Sequence, residues 1–560
     1  MPDYGCGSTA RIVLPHFFNG SNCECIKMDF IFGRFSILFY SIFFAVGFAA
    51  LSFLDLSFAI PLFFLIPLSF IGLKDFFQKK SNVIANFPVL ARARFMLESI
   101  RPEIRQYFLE GDDDKLPFSR NQREMVYRRS KNVDAVRSFG SLEDFYCDDY
   151  TWLNHSIKPS HIIDKNFRVL VGSGKSKYEI SVLNISGTSF GALSPNAIQA
   201  LNTGAKKGMF AHNTGEGSLS KYHELGGGDL IWQISTGYFG CRTEDGLFDE
   251  DKFSKTALSP QVKMIEIKLS QGAKPGHGGM LLGSKVTQEI AEARGIDVGK
   301  DCISPSSHSA FSTPIELLSF AEKLKKLSNG KPVGIKLCIG HPWEFLAIVK
   351  AMVEQENTLD FVTVDGSEGG TGAAIPELSD KTGCPLDDAL IFVDNCLKGA
   401  GLREKVKIGA SGKIVSGFDV VHKCALGADW CNMARPFMFS LGCIQARDCS
   451  SGKCPTGIAT MDPARYRALD IDTRSDRVAN FHSNTINAVC ELLESAGLMH
   501  PHDLTRRHIV RRLSSSKIRL LDQIYPKLEP KSLLQKNFDV EDERIQVYWN
   551  RVSGNSFNAS

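Results

Sequence analysis

The rhythm of hydrophobic and polar positions changes three times along the chain. From Phe35 to Leu54 the run FSILFYSIFFAVGFAALSFL holds no charge, and at helical rise twenty residues reach about 30 Å, the thickness of a bilayer's hydrocarbon core. Asp55 interrupts, and LSFAIPLFFLIPLSFIGL follows from Leu56 to Leu73. Its prolines are tolerable in membrane helices. The runs have no amphipathic period, which argues against core helices, and they exceed the apolar core of a signal peptide. Residues 28–80 are thus expected to form a transmembrane helical hairpin, with spans near 35–54 and 56–73. Arg34 precedes it, and Lys74, Lys79, Lys80, Arg92 and Arg94 follow. By the positive-inside rule both ends, and the large C-terminal domain, are expected to face the cytoplasm from a multi-pass position in the inner membrane.

Residues 81–164 are polar and rich in helix formers, broken at Pro102 and near GDDD, and predict a helical juxtamembrane region. From about 165 to 511, short apolar runs such as ISVLNIS, GIKLCIG, FVTVDGS and VKIGASG alternate with helical spacings. Repeated strand, Gly-rich loop and helix predict parallel βα units of an α/β fold, a (β/α)8 TIM barrel, with a doubly wound open sheet as the competing arrangement. Residues 512–560 are left as a tail. Residues 1–27 carry three cysteines without pattern and are expected to be unstructured, or to precede a true start at Met28.

Composition narrows the classes. A net charge of +3 with 23% charged residues shows no nucleic-acid-binding surface. Fifteen cysteines are scattered through a chain too long for a disulfide miniprotein. A reduced protein with some thiols committed to a cofactor is expected.

Chemistry should sit in the loops after the strands. GSEGGTGAA (366–374) and ASGKI (410–414) are Gly-rich loops at late strand ends, and GADWCNMARPFM (427–438) follows. Glycines let backbone N–H groups approach a phosphate. Lys336 stands in the apolar GIKLCIG and needs an electron-rich partner if buried, or snorkels to solvent. AHNTGEGSLS (211–220) offers Glu216 for proton transfer or for holding an amine. Lys268 and Lys274 flank a Gly-rich turn and could hold carboxylates or face a flavin; both stretches also read as ordinary turns with surface lysines. Cys443, Cys449 and Cys454 form C-x5-C-x4-C, with Pro455 after the third and no fourth cysteine nearby. Four thiolates would suggest zinc or an ordinary cluster; three suggest accident or a cluster lacking one iron.

NTGEG, QGAKPGHGG, GGTGAA, ASGKI and the three-cysteine run occur in the order found in the FMN-binding domain of glutamate synthases. The chain over about 180–500 resembles that family, above all its stand-alone membrane-associated members. The resemblance implies a (β/α)8 barrel holding FMN through Gly187, Thr188, Ser189, Lys336, Gly369, Gly370, Thr371, Gly412, Lys413, Ala434 and Arg435. It implies a 3Fe–4S cluster on Cys443, Cys449 and Cys454. Glu216, Lys268 and Lys274 would be catalytic, and Arg294, Thr313 and His277 would contact substrate. The absence of a G-x-G-x-x-G opening a βαβ unit agrees with FMN rather than FAD.

The implied reaction condenses a 2-oxo acid such as 2-oxoglutarate with ammonia or an amine and reduces the imine to glutamate or an N-substituted glutamate. Electrons would come from a donor protein that the sequence does not identify. The family reads KPGEGG followed by Gln, where this chain has His277 and Met280, so another imine or amino-acid oxidation on the same cofactors competes. A non-catalytic membrane scaffold is the third reading. Pro2 stands where a glutaminase would expose its cysteine, and no amidotransferase domain fits before residue 165. Any glutamine-derived ammonia is therefore expected from a separate amidotransferase subunit.

Overall fold

The computed structural model describes residues 33–112, 114, 117–133 and 139–559; residues 1–27 and the alternative start at Met28 lie outside the described residues. The described chain forms two compact units, one ending at Glu110 and one beginning at Gly111.

The first unit is an antiparallel pair of helices, α1 (Ser36–Leu51) and α2 (Leu62–Phe77), joined through a 3-10 turn at Leu56–Ala59 that Asp55 caps by accepting from the Ser57 N–H. Gly72 lets them close, since a Cβ there would stand 2.7 Å from Leu38 Cδ1. The hairpin carries its apolar residues outward: Phe53 is 91% exposed, Phe63 77% and Phe70 69%. Leu56–Phe77 is long and apolar enough to cross a membrane, whereas Ser36–Leu51 has 16 residues, or about 24 Å of helix. Asp75 then takes a bidentate pair from Arg92 at 2.6 and 2.7 Å, fixing α3 (Leu90–Ile104) to the end of α2.

The second unit opens with α4 (Arg120–Ser130), whose capping box is Ser119 with Gln122. Eight parallel strands then close a barrel: β1 (Leu183–Ile185), β2 (His212–Asn213), β3 (Leu230–Ile234), β4 (Val262–Lys268), β5 (Val333–Leu337), β6 (Phe361–Asp365), β7 (Lys407–Ser411) and β8 (Trp430–Met433). The last strand pairs with the first, Asn432 opposite Asn184, which rules out the open sheet. The strands are apolar runs because helices cover them outside. Among these are α5 (Pro195–Gly208), α6 (Pro314–Leu327), α7 (Leu386–Gly399), α8 (Arg435–Leu441) and the long α9 (Ile471–Ser495). α9 lies close on α5, where a Cβ at Gly204 would meet Val478 at 2.5 Å.

A hairpin, Arg168–Val171 paired with Tyr178–Ser181, stops the lower end of the barrel. Its Val169, Val171 and Ile180 pack with Ile231, Met264, Phe361 and Trp430 from the strand starts. Gly409 on β7 has no side chain because the Trp430 indole lies there, 2.8 Å from where a Cβ would stand.

Two stretches differ from the sequence expectation. Residues 81–164 are not one helical region: α4 packs on α8 and α9 and belongs with the barrel, and Thr151–Leu153 is a strand antiparallel to Ile509–Ser514. Of the segment expected to be a tail, residues 512–559 are docked rather than trailing. Trp549 is buried and donates Nε1–H to Leu533 O at 2.7 Å, and Ile315 N–H donates to Gly554 O at 3.0 Å.

Asp394 on α7 pairs with the buried Arg506 at 3.0 Å and with the half-buried Arg403 at 3.0 Å, which Asp429 also holds at 3.0 Å. Asp394→Ala leaves the buried Arg506 without its carboxylate, while Arg403 keeps Asp429, and removing one partner of a buried pair costs about 3–5 kcal/mol. Chemical denaturation should show that loss, together with earlier release of the C-terminal segment in limited proteolysis.

Candidate functional site

A cavity of about 660 Å³ occupies the upper mouth of the barrel, and every strand or the loop after it supplies part of its wall. Ser186–Ser189 follow β1, Gly215 and Glu216 follow β2, Gln233 comes from β3, and Lys268 with Gln271–Lys274 from β4. Lys336 ends β5, Asp365 ends β6 before Gly369–Gly372, and Ser411–Ile414 and Asn432–Arg435 complete the ring. The lining carries eight lysines and arginines against three carboxylates. A concave site so charged selects anions.

Glu216 is at the centre of one side. Its Oε2 accepts from Lys268 Nζ at 2.9 Å and from Ser235 Oγ at 3.3 Å. Burial works to raise its pKa, but Lys268 first, then Arg294 and Lys274, overcome this and hold it at about 2. It is therefore ionised at every physiological pH. Gly279 covers it, since a Cβ there would stand 2.2 Å from Oε1. Lys274 is buried, and burial lowers its pKa more than Glu216 restores it, so it releases a proton more readily than an ordinary lysine. Arg294 donates Nη2–H to Phe190 O at 2.9 Å, while its Nε is buried without a hydrogen-bond partner.

Beneath the mouth the barrel interior is polar. Lys336 lies 3.5 Å from Asp365. Burial opposes its charge, but Asp365 and Glu266 outweigh that and raise its pKa. Glu266 is buried and accepts from Gln233 Nε2 at 2.8 Å, Asn213 Nδ2 at 3.0 Å and Thr363 Oγ1 at 3.2 Å. Its bond from Nε2 turns the Gln233 carbonyl, an acceptor, towards the cavity. Asn432 Oδ1 is buried in the cavity wall without a partner. Thr188 is held from behind by His212 Nε2 at 2.6 Å, and burial pushes that imidazole well below its usual pKa, leaving it neutral.

At the opposite side Gly370 brings backbone against Arg435, where a Cβ would meet the guanidinium at 3.0 Å. Arg435 donates to Glu368 O and stacks 4.6 Å over the Phe118 ring, which Lys413 also approaches at 6.0 Å. Burial lowers the Arg435 pKa further than Asp365 and Glu368 restore it. That guanidinium is short of an anion.

The cysteines form the remaining wall. Cys443, Cys449 and Cys454 all line the cavity. Tyr127 OH donates to Cys443 O at 2.5 Å, and Gln445 exchanges hydrogen bonds with the Phe118 backbone at 3.2 and 3.0 Å. Among the described residues no three His, Cys, Asp or Glu side chains are gathered as a preformed metal site. Burial raises the Cys443 pKa against the hydrogen bond its sulfur accepts from the Gln445 N–H at 3.4 Å. The Cys454 sulfur is supplied with donors: burial works to raise it, but Thr456 Oγ1 at 3.4 Å and nearby backbone N–H groups lower it. Donors around a sulfur stabilise the thiolate that a metal requires.

Of the residues expected from sequence, two stand away from the cavity. Thr313 is the N-cap of α6, accepting from the Glu316 N–H at 3.2 Å, and His277 is exposed on the outer loop. The cavity gathers all the others. Gln233, Glu266, Asn432, Phe118 and Lys285 were not anticipated. A polar residue in an otherwise apolar strand was the available signal for Gln233 and Glu266, the same signal that singled out Lys336.

The conserved region of glutamate synthases matches residues 163–499. The glutamate synthase large subunit-like protein YerD of Bacillus subtilis (strain 168) is 36% identical over 509 residues, 83% of this chain and 96% of that one. The archaeal glutamate synthase [NADPH] of Methanocaldococcus jannaschii is 36% identical over 315 residues, covering 56% of this chain and 58% of its own length. Among solved structures, a flavocytochrome b2 mutant with pyruvate bound aligns with a TM-score of 0.41 at 12% identity over 81% of this chain and 93% of that one. With a matched region running through the whole barrel and a relative aligned over nearly its full length, the chain belongs to the glutamate synthase family of oxidoreductases.

Proposed function

We propose that this protein is a membrane-anchored FMN and iron–sulfur oxidoreductase that aminates a 2-oxo acid, with 2-oxoglutarate and ammonia or a small amine as substrates. The observation carrying this reading is the cationic mouth itself, with the ionised Glu216 between Lys268, Lys274 and Arg294. A dicarboxylate and a phosphate-bearing cofactor are the anions such a mouth accommodates. Gly369–Thr371, Gly412, Lys413, Ala434 and Arg435 fit the phosphate, because Arg435 is half-buried and short of an anion and Gly370 leaves backbone access. Lys336, the Gln233 carbonyl and the unpartnered Asn432 Oδ1 fit the polar edge of a flavin ring. The three cysteines with their surrounding donors fit a 3Fe–4S cluster. When bound, FMN supplies hydride at N5 and the cluster supplies single electrons.

The chain's own groups do the rest. Lys268 and Arg294 hold substrate carboxylates through charge-assisted hydrogen bonds. When ammonia adds to the 2-oxo carbonyl, the carbinolamine must lose water. Lys274 Nζ, with its lowered pKa, donates the proton to the departing hydroxyl. The product of that loss is a cationic iminium, and Glu216 is the fixed anion that stabilises it. The hairpin supports a membrane position: its phenylalanines face outward, and positively charged residues flank it. A separate amidotransferase subunit would supply ammonia where glutamine is the nitrogen source. A different imine substrate is the second reading, and Met280 favours it by placing a thioether in the cavity wall where the resembled family has glutamine.

Cofactors released from the purified full-length protein should be FMN with about three irons per chain. Cys449→Ser should lose the low-temperature EPR signal of the oxidised cluster while keeping FMN. Release of FAD, or iron unaffected by the substitution, would refute the assignment.

The proton role makes a kinetic expectation. Lys274→Arg keeps the charge but cannot donate usefully at neutral pH, so kcat should fall about 10²–10⁴-fold with KM nearly unchanged. Wild-type kcat should decline as pH rises through the lowered Lys274 pKa, short of an ordinary lysine's value. A profile flat to that value would remove Lys274 from the role.

Removing residues 1–80 should move the protein from the membrane fraction to the soluble fraction with its FMN retained. A folded truncation that still sediments with membranes would show that the hairpin is not the anchor.

A further inference from the structure

Lys285 is a buried lysine to which the reaction above gives no task. It ends the short turn Gly283–Lys285, which follows the segment carrying Lys268 and Lys274. The side chain is buried against the cysteine wall. Its Nζ donates to Cys449 O at 2.7 Å, and its stem lies along the cysteine loop, where a Cβ on Gly452 would stand 3.5 Å from Cε. Among the described residues no carboxylate forms an ion pair with it inside 4.0 Å.

An ammonium buried against a neutral carbonyl and neutral thiols is unfavourably placed. It becomes well placed when an anion shares its pocket. Three thiolates on a three-iron, four-sulfide core carry net negative charge, and reduction by one electron makes that charge more negative. A fixed cation beside the core favours the reduced form over the oxidised one, which raises the reduction potential.

We propose that Lys285 is the counter-cation of the cluster, setting its reduction potential and tying the substrate segment to the cysteine loop. The inference rests on the three-iron reading given above. It concerns charge rather than shape: the methylene stem packs on the loop, and the ammonium does the tuning. The Lys285 ammonium is hydrogen-bonded to the cysteine loop, so it is a positioning and tuning residue.

The test uses the full-length protein, purified anaerobically in detergent, with iron content, FMN content and an EPR-monitored redox titration for each form. Lys285→Met and Lys285→Gln remove the charge, and Lys285→Arg keeps it. In the neutral variants the reduction equilibrium should shift at least tenfold towards the oxidised cluster, a fall of about 59 mV for one electron, with FMN content unchanged. Lys285→Arg should stay within threefold of the wild type. Cluster loss in both neutral variants, with retention in Lys285→Arg, would also support the inference, since the charge would then be needed for assembly. Potentials unchanged in the neutral variants overturn it, as does cluster loss in all three variants, which would mean that shape matters and charge does not. A wild-type protein without iron would refute the three-iron reading itself, and a wild type with iron but insensitive to Lys285 would refute only this inference.

Discussion

Positive charge drawn into a low-dielectric mouth is the constraint around which this barrel is organised. Lys268, Lys274, Arg294, Lys336, Lys413 and Arg435 converge on one cavity, and most of that charge is buried. The protein tempers the excess only in part. Glu216 is committed to Lys268, while Asp365 and Glu266 flank Lys336. What remains must be balanced by ligands, so a loaded site is electrostatically more settled than an empty one. The same argument explains the polar layer inside the barrel. Glu266, satisfied by three donors, keeps a lysine charged where an all-apolar interior would neutralise it.

Much of the site was legible because glycine and cysteine carry local chemistry. A glycine-rich stretch after an apolar run marks backbone that something must approach, and three cysteines at fixed spacing mark a shared ligand set, whatever the fold around them. Residues acting through distant partners were not legible. Gln233 and Glu266 belong to successive strands and matter through one hydrogen bond across the barrel. Phe118 reaches the cavity from far upstream in sequence, and only packing brings it over Arg435. Thr313 shows the converse failure. Thr–Pro with Glu three residues on is the signature of a helix start, and a helix cap and a ligand contact draw on the same residue type.

The barrel strands were legible because parallel strands buried on both sides are apolar throughout. Segments without a period were not. Residues 139–164 and 512–559 hold few apolar anchors, and their places depend on contacts such as Trp549 with Leu533 and Thr151 with Arg511. The N-terminal helices are at the other extreme. Their composition is so uniform that neither face is distinguished, and in the structure phenylalanines point outward on all sides.

The stoppered lower end of the barrel has a consequence for traffic. With Trp430, Phe361 and the 168–181 hairpin filling it, the barrel is a vestibule with one door. Substrates and product all pass the same threshold, beneath the same cysteine loop. They must take turns. A product lingering in the vestibule excludes the next substrate, so the product is a competitor for entry by construction, and turnover slows as the product accumulates outside.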